Sequence, residues 1–447
     1  MRSMTWKQIA QFLNCPEPHQ REIVQGFCVD TRLLKPGQVF VALVGTRVDG
    51  HAYLEEAQKK GALAAIVGNS YRGPNHGLHL FHVADPLDAL QELARAVLAN
   101  GRSQIVAVTG SVGKTTTKEF IKSLLSSRYA VAASPGNSNS QVGVPLSVLN
   151  HTTGNEEILV LEMGMTEPGQ LARLVQIAPP DVAVLTTAAL VHACNFASLE
   201  AIALTKAEIF SHSQTKLGIL HYDLSNLTTL SEVGSCPKIS FSTTSSDADY
   251  SLDRVMDNTL RVKGGKETFR LGHINVPGAH NVHNALAAVV VARYFGLSWE
   301  EIKTGLAMLR LPEKRLQVVQ REGVVFLNDS YNASEVSTKA ALETLPEPVG
   351  EGCKVAVLGS MMELGQFSND CHKRVGEFAL DRVAKVMCLG EECRPIYDVW
   401  KKAGRSVELF LDRAALVAHL RQVLKPSDVV LLKGSRSKEL WKVLEEL

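Results

Sequence analysis

With 447 residues, 45% of them apolar and 21% charged, the chain has the composition of a globular protein and the length of two or three domains, each able to bury its own core. Its 47 basic and 46 acidic residues leave a formal net charge of +1, so no global field draws it to nucleic acid or to an anionic membrane, and any anion must be held by a local site. The eight cysteines are scattered with no CxxC pair, which argues against a zinc or redox motif, and the longest apolar run, 285–292, is too short to span a bilayer; a cytoplasmic protein with reduced thiols is expected.

Residues 1–84 mix short apolar stretches, "QVFVALVG" and "LAAIVG", with the helical spacing of "HAYLEEAQKKG", and read as a small α/β unit. The acidic start and apolar periodicity of "DPLDALQELARAVLAN" predict a helix leading into a larger unit, 85–312. Here "IVAVTG", "EILVLEMG" and "DVAVLTT" alternate with helical segments such as "GQLARLVQIA", the pattern of a parallel sheet covered on both faces. A turn-rich, β-leaning stretch over 217–277 and the helix "HNVHNALAAVVVARYFG" follow, and "LRLPEKR" reads as a linker. The strands "GVVFLND", "KVAVLGS", "KVMCLG", "VELFL" and "DVVLLKGS" then predict a second doubly wound domain, 313–447. Ligands collect at the carboxyl ends of strands in such sheets, which makes Thr109 to Thr116, Glu162, His192, Asp329, Ser360 to Gly365 and Lys433 to Arg436 the first candidates for chemistry.

The stretch "VAVTGSVGKTTTKEF" is the most specific of these. A strand bends at Gly110 and Gly113 and continues as a helix, so backbone N–H groups of Thr109, Gly110, Ser111, Val112 and Gly113 converge where the helix dipole adds about half a positive charge. Lys114 would reach the β- and γ-phosphates of ATP or GTP, and Thr115 would offer a hydroxyl to Mg²⁺, with Thr116 beside it. The pattern GxxxxGK[ST] needs glycine at 108, where this chain has Val108; TGxxGKTT fits. Glu162, at the end of a neighbouring strand, reads as a ligand for Mg²⁺ or as a cap on the following turn. His192 and Lys206 are assigned no role by periodicity alone.

In order and spacing, "TGSVGKTTTKEF", "GNSNSQVGVPLSVL", "VLEMGMTEPGQL", "VHACNFASLEAIALTKAEIF" and "VPGAHNVHNALAA" resemble the Mur ligases, ATP-dependent amide-forming enzymes of peptidoglycan precursor synthesis. The blocks "VDTRLLKPGQVFVALVGTRVDGHAYLEEAQKKGALAAIV", "NDSYNAS", "LGSMMELG" and "LLKGSRSKELWKVLEEL" resemble those of the family member that adds the last dipeptide. The resemblance implies three domains: a small α/β domain for the UDP end of the substrate, a central P-loop ATPase domain and a C-terminal Rossmann-like domain. It implies UDP-N-acetylmuramoyl-tripeptide and D-alanyl-D-alanine as substrates, and no partner beyond a monomer is demanded.

It also implies roles. ATP phosphates and two Mg²⁺ ions would be held by the loop with Thr115, Glu162, His192 and Lys206, the last matching a carbamylated lysine. Asn281 and Asn284 match residues near adenine, although Asn281 would serve equally as a helix cap. Arg315 and Asp329 match the arginine and aspartate brought to the γ-phosphate and ribose. The substrate positions are Asp30, Thr31, Arg32, Asp49, Gly50 and His51 at the UDP end, which on residues alone could be turn-formers, and Asn137, Asn139, Tyr331, Asn332, Lys433 and Ser435 elsewhere. Three departures from the family pattern stand out: Ser140 in place of an asparagine, Lys314 where glycine usually precedes the arginine, and the "LVHACNF" setting of His192. A folylpolyglutamate synthetase-like enzyme and a P-loop switch protein are the rival readings. The "DTR…DGH" block argues against the first, and the absence of an NKxD motif against the second.

Overall fold

A computed structural model describes residues 4–17, 22–254, 260–264, 267–272, 274 and 276–447. Near the N-terminus, strands Phe27–Cys28, Val39–Val41, Ala64–Gly68 and His79–Val83 form a parallel sheet in that spatial order. The helix Pro86–Ala99 follows, started by Asp85, whose carboxylate accepts the N–H groups of Leu87 and Asp88, with proline in its first turn. Its inward residues Leu90 and Leu93 belong to one unbroken apolar layer that runs from Trp6, Val39 and Ile66 to Leu161, Leu171 and Leu185 of the next sheet. The small sheet is therefore packed firmly onto the central one.

The central sheet has the spatial order 267–272, 260–264, 250–254, 238–242, 217–221, 182–185, 104–109, 158–162 and 131–133 among the described residues. From 250–254 to 131–133 every pairing is parallel. The inner strands 104–109, 158–162, 182–185 and 217–221 are predominantly apolar because both faces are covered. Helices Lys114–Leu125 and Ala279–Tyr294 close one face over Val106, Val160 and Val184. The phosphate loop thus leaves the middle of the sheet, flanked by 182–185 and 158–162.

The C-terminal sheet runs 317–321, 324–328, 429–433, 354–359, 385–389 and 406–410, parallel except for the first strand. That antiparallel edge strand, Gln317–Arg321, lies just after the "LRLPEKR" segment. Between the two sheets the backbone of Lys314 and Leu316 is left-handed, with φ of 60° and 48°. Glycine adopts this conformation without steric cost, and a lysine does not. Lys314 takes it with its ammonium 4.3 Å from the centre of the Trp441 ring. Its departure from the family pattern therefore changes the residue, while the backbone keeps a shape suited to glycine.

Candidate functional site

A cleft of about 660 Å³ opens between the central and C-terminal sheets, lined from both. Its floor is the phosphate loop. Gly113 has φ of 86° and precedes the helix Lys114–Leu125. A Cβ there would meet Asn284 Oδ1 at 2.4 Å, so the close approach as well as the dihedral demands glycine. The adjacent strand end clamps the loop: Ser111 N–H donates to Thr187 O at 2.8 Å and the Thr186 hydroxyl to Val112 O at 2.7 Å. Thr109 and Gly110 lie behind this turn and do not line the cleft.

Lys114 Nζ donates to Gly110 O at 2.7 Å and Ser111 O at 3.3 Å, curled over the loop where phosphate oxygens would sit. Burial lowers its pKa, the Glu162 carboxylate pulls it up, and nearby Arg315 lowers it. Thr115 Oγ1 donates to Glu162 Oε2 at 2.7 Å, and the other carboxylate oxygen of Glu162 accepts from Asn139 Nδ2 at 2.7 Å. Of its two sequence readings, Glu162 thus faces the loop hydroxyl and does not cap the turn that follows it. From the C-terminal unit, Arg315 Nη2 donates to Thr115 Oγ1 at 3.0 Å.

Other expected residues fall into groups. Asn281 lies in the first turn of its helix, whose N-cap is Gly278, so it is not the cap. Its Nδ2 donates to Pro277 O and its Oδ1 accepts from Asn284, which in turn accepts from the Thr117 hydroxyl. Asp329 accepts the Leu316 N–H at 3.1 Å and pairs with Lys433 Nζ at 2.6 Å. Lys433 also donates to Asn332 O, and Ser435 accepts the Met362 N–H, so both brace loops of the C-terminal unit. Tyr331, Asn332, Asn137 and Asn139 line the cleft; Ser435 does not.

His192 lies beyond the end of strand 182–185, in a loop, with a left-handed φ of 56°. Its Nδ1 pairs with the Glu363 carboxylate of the C-terminal unit, and Cys194 N–H donates to Glu363 O at 3.2 Å. Lys206 is 2% exposed, and burial holds its amine well below its ordinary value, with Lys114 adding to the effect. Asp30, Thr31, Arg32, Asp49, Gly50 and His51 do not line this cleft. Asp30 and Asp49 cap two short 3₁₀ turns, and Arg32 forks onto Asp30. His51 accepts the Gly68 N–H on Nε2, so its Nδ1 carries the proton shared with Asp49.

An oxygen-only pair, the Thr115 hydroxyl and the Glu162 carboxylate, suits a hard divalent cation such as Mg²⁺. No cluster of three or more His, Cys, Asp or Glu side chains of metal-binding geometry occurs among the described residues.

Sequence reasoning missed several contributors. Lys118 is fully buried and donates to Ser134 O at 2.5 Å and Gly136 O at 2.7 Å, pinning the loop that carries Asn137 and Asn139. Its signal was present: Lys118, Ile121 and Leu125 share one face of their helix, so a lysine stands in an apolar stripe. His221, Phe241 and His283 form a slot of rings on the cleft wall, His221 standing edge-on to His283 at 4.7 Å. His283 lies within the "HNVHN" block, and nothing local in the sequence marked His221 or Phe241. The departure at Ser140 has a plain explanation, since its hydroxyl accepts the Gly143 N–H at 3.1 Å at the start of helix Gly143–His151.

The chain matches known proteins over most of its length. The models of the Mur ligase middle domain and of the Mur ligase glutamate ligase domain match residues 108–292 and 314–436. The chain belongs to the Mur ligase family. Among curated Mur ligases it is 33% identical to the UDP-N-acetylmuramoyl-tripeptide–D-alanyl-D-alanine ligase of Bacillus subtilis, over 100% of this chain and 99% of that protein. The Escherichia coli ligase of the same name is also 33% identical, with the same coverage. Of solved Mur ligases, MurF from Thermotoga maritima in complex with ADP aligns with a TM-score of 0.79 and 32% identity, covering 94% of this chain and 96% of that one. MurF from Acinetobacter baumannii aligns at 0.86 with 26% identity, covering 100% and 99%.

Proposed function

We propose that this Mur ligase joins D-alanyl-D-alanine to UDP-N-acetylmuramoyl-tripeptide, using ATP to activate the tripeptide's terminal carboxylate as an acyl phosphate. The observation that carries this reading is the reach of Arg315 from the C-terminal unit to Thr115 of the phosphate loop. A cation from the C-terminal unit there would face the γ-phosphate during phosphoryl transfer. Full-length similarity to ligases of that name supports the choice of substrates.

A free carboxylate resists attack by an amine, because its charge repels electron pairs and its leaving group would be oxide. Phosphorylation removes both obstacles. Lys114 and the loop N–H groups would steady the γ-phosphoryl as it passes from ATP to the carboxylate, with Arg315 adding charge from the opposite side. Mg²⁺, held by Thr115 and Glu162, would supply further positive charge to the phosphate oxygens when bound. Asn139 keeps the Glu162 carboxylate oriented. The dipeptide's amine then forms the C–N bond, phosphate leaves with the bonding pair, and the amine loses a proton.

The acyl phosphate hydrolyses readily, so the cleft must exclude water during the second step. The contacts of Glu363 with His192 and Cys194 bring the two walls together. In this reading units 1–84, 85–312 and 313–447 hold the UDP end, ATP and the dipeptide respectively, and the reaction serves precursor synthesis in the cytoplasm. A buried Lys206 with a depressed pKa supports a carbamate there, since CO₂ adds to a neutral amine. Lys206→Ala should lose most activity and partly regain it with added short-chain carboxylates; no response counts against the carbamate.

The test is ADP release with UDP-N-acetylmuramoyl-tripeptide, with and without D-alanyl-D-alanine, and with folate plus glutamate. Turnover should require the tripeptide and the dipeptide together. Oxygen-18 placed in the tripeptide carboxylate should appear in the released phosphate, and unlabelled phosphate would refute the acyl phosphate.

A further inference from the structure

The proposed second substrate is a zwitterion whose two ends must be told apart. Its amine has to meet the activated carbonyl, while its carboxylate, if unanchored, would compete for the cations of the phosphate loop. The cations around the cleft are largely committed. Lys114 lies on the loop carbonyls and Arg315 on Thr115, both at the phosphate site. Lys433 is paired with Asp329, and Lys438, farther along the same loop, faces Glu392 at 3.4 Å.

Arg436 differs from these. It follows strand Val429–Lys433, is exposed, and has no carboxylate partner among the described residues. Its guanidinium lies 3.5 Å from Asn137 Oδ1, a cleft residue of the central unit, and 5.9 Å from the centre of the Tyr331 ring. Arg315 lies 4.5 Å from that same ring. Tyr331 therefore lies near both a cation committed to phosphate and one with no carboxylate partner among the described residues. The Tyr331 hydroxyl is buried without a hydrogen-bond partner among the described residues.

We infer that Arg436, with the Tyr331 hydroxyl beside it, anchors the carboxylate of the dipeptide and so sets which end of it faces the acyl phosphate. The assignment rests on the dipeptide-ligase reading above. An extended dipeptide spans about 7 Å, and the two guanidinium groups lie 4.5 and 5.9 Å from the centre of one ring, so both are within reach of a single dipeptide. Arginine suits the task because its planar fork matches a carboxylate's two oxygens.

The test compares D-alanyl-D-alanine with D-alanyl-D-alaninamide, which keeps the amine and removes the negative charge. Wild-type enzyme should prefer the acid in kcat/KM by about tenfold to a hundredfold, the usual worth of a charge-assisted hydrogen bond. Arg436→Gln should bring that preference close to unity by losing rate on the acid alone, and Arg436→Lys should retain part of it. A purely structural role for Arg436 would slow both substrates alike, and that result overturns the inference. So does a wild-type enzyme indifferent to the amide. If wild-type protein ligates no dipeptide at all, the proposed activity falls and this assignment with it. If it ligates the acid while Arg436→Gln keeps the full preference, the assignment alone falls.

Discussion

Lys118 Nζ sits where water does not reach, and the carbonyl oxygens of Ser134 and Gly136 receive it. A buried polar group without partners costs about 1–3 kcal/mol, so lysine and loop stabilise one another. The loop in turn delivers Asn139 to Glu162, and the Ser134 hydroxyl accepts the Glu162 N–H at 3.0 Å. Methionine at 118 would keep the apolar stem and delete the donor. Lys118→Met should lower kcat by about tenfold or more, the scale of one lost hydrogen bond at a positioned group, with a smaller change in KM for ATP, because Lys114 and the loop N–H groups remain. Steady-state kinetics decides it; unchanged kcat would show that the loop is held by other means.

At the scale of elements, helices Glu335–Thr344 and Ser368–Ala379 are joined by Glu335 and Arg374, with bonds of 2.7 and 2.9 Å, and Lys339, one turn along the first helix, donates to the same carboxylate at 2.8 Å. Burial by itself would raise the Glu335 carboxyl, but Arg374 and Lys339 outweigh it and bring it from 4.5 down to about 2. The unfolded chain keeps the ordinary value. The stabilisation is therefore complete above pH 4.5 and is lost as the pH falls towards about 2. Allowing for solvent at half-exposed Arg374, it amounts to about 2 kcal/mol. Glu335→Gln should lower the urea midpoint at neutral pH, and the gap from wild type should narrow steadily in acid. A gap independent of pH would mean that packing, not charge, joins the two helices.

For the whole molecule, the question is how two sheets far apart in sequence make one site. Arg315 reaches Thr115 across 200 positions, and Glu363 reaches the His192 loop. The central unit holds the phosphate loop, Glu162, Asn281 and Asn284, whereas Arg315 arrives only with the C-terminal sheet. Arg315→Ala should accordingly bind ATP almost as well as wild type while losing about a thousandfold in turnover, the scale of an arginine supplied to a phosphoryl transfer. Nucleotide titration beside single-turnover kinetics separates the two effects. A comparable loss of ATP affinity would make Arg315 a simple binding residue.

The order of strands and helices and the phosphate loop were legible in the sequence, because alternation of apolar runs, a glycine at a left-handed turn and a helix N-terminus act over a few neighbouring residues. The resemblance of several motifs in register also pointed to the Mur ligases before any side chain was placed. The tertiary structure decided which side chains meet. It turned Lys433 onto Asp329 and Ser435 onto Met362, tied His192 to Glu363, and brought Lys118 inside. The reason is spatial order: strand 104–109 lies between 182–185 and 158–162, so their loops converge only once the sheet has formed. Charge pairing between loops so far apart in the chain leaves no local pattern, and the burial that shifts Lys114 and Lys206 exists only when the core around them has closed.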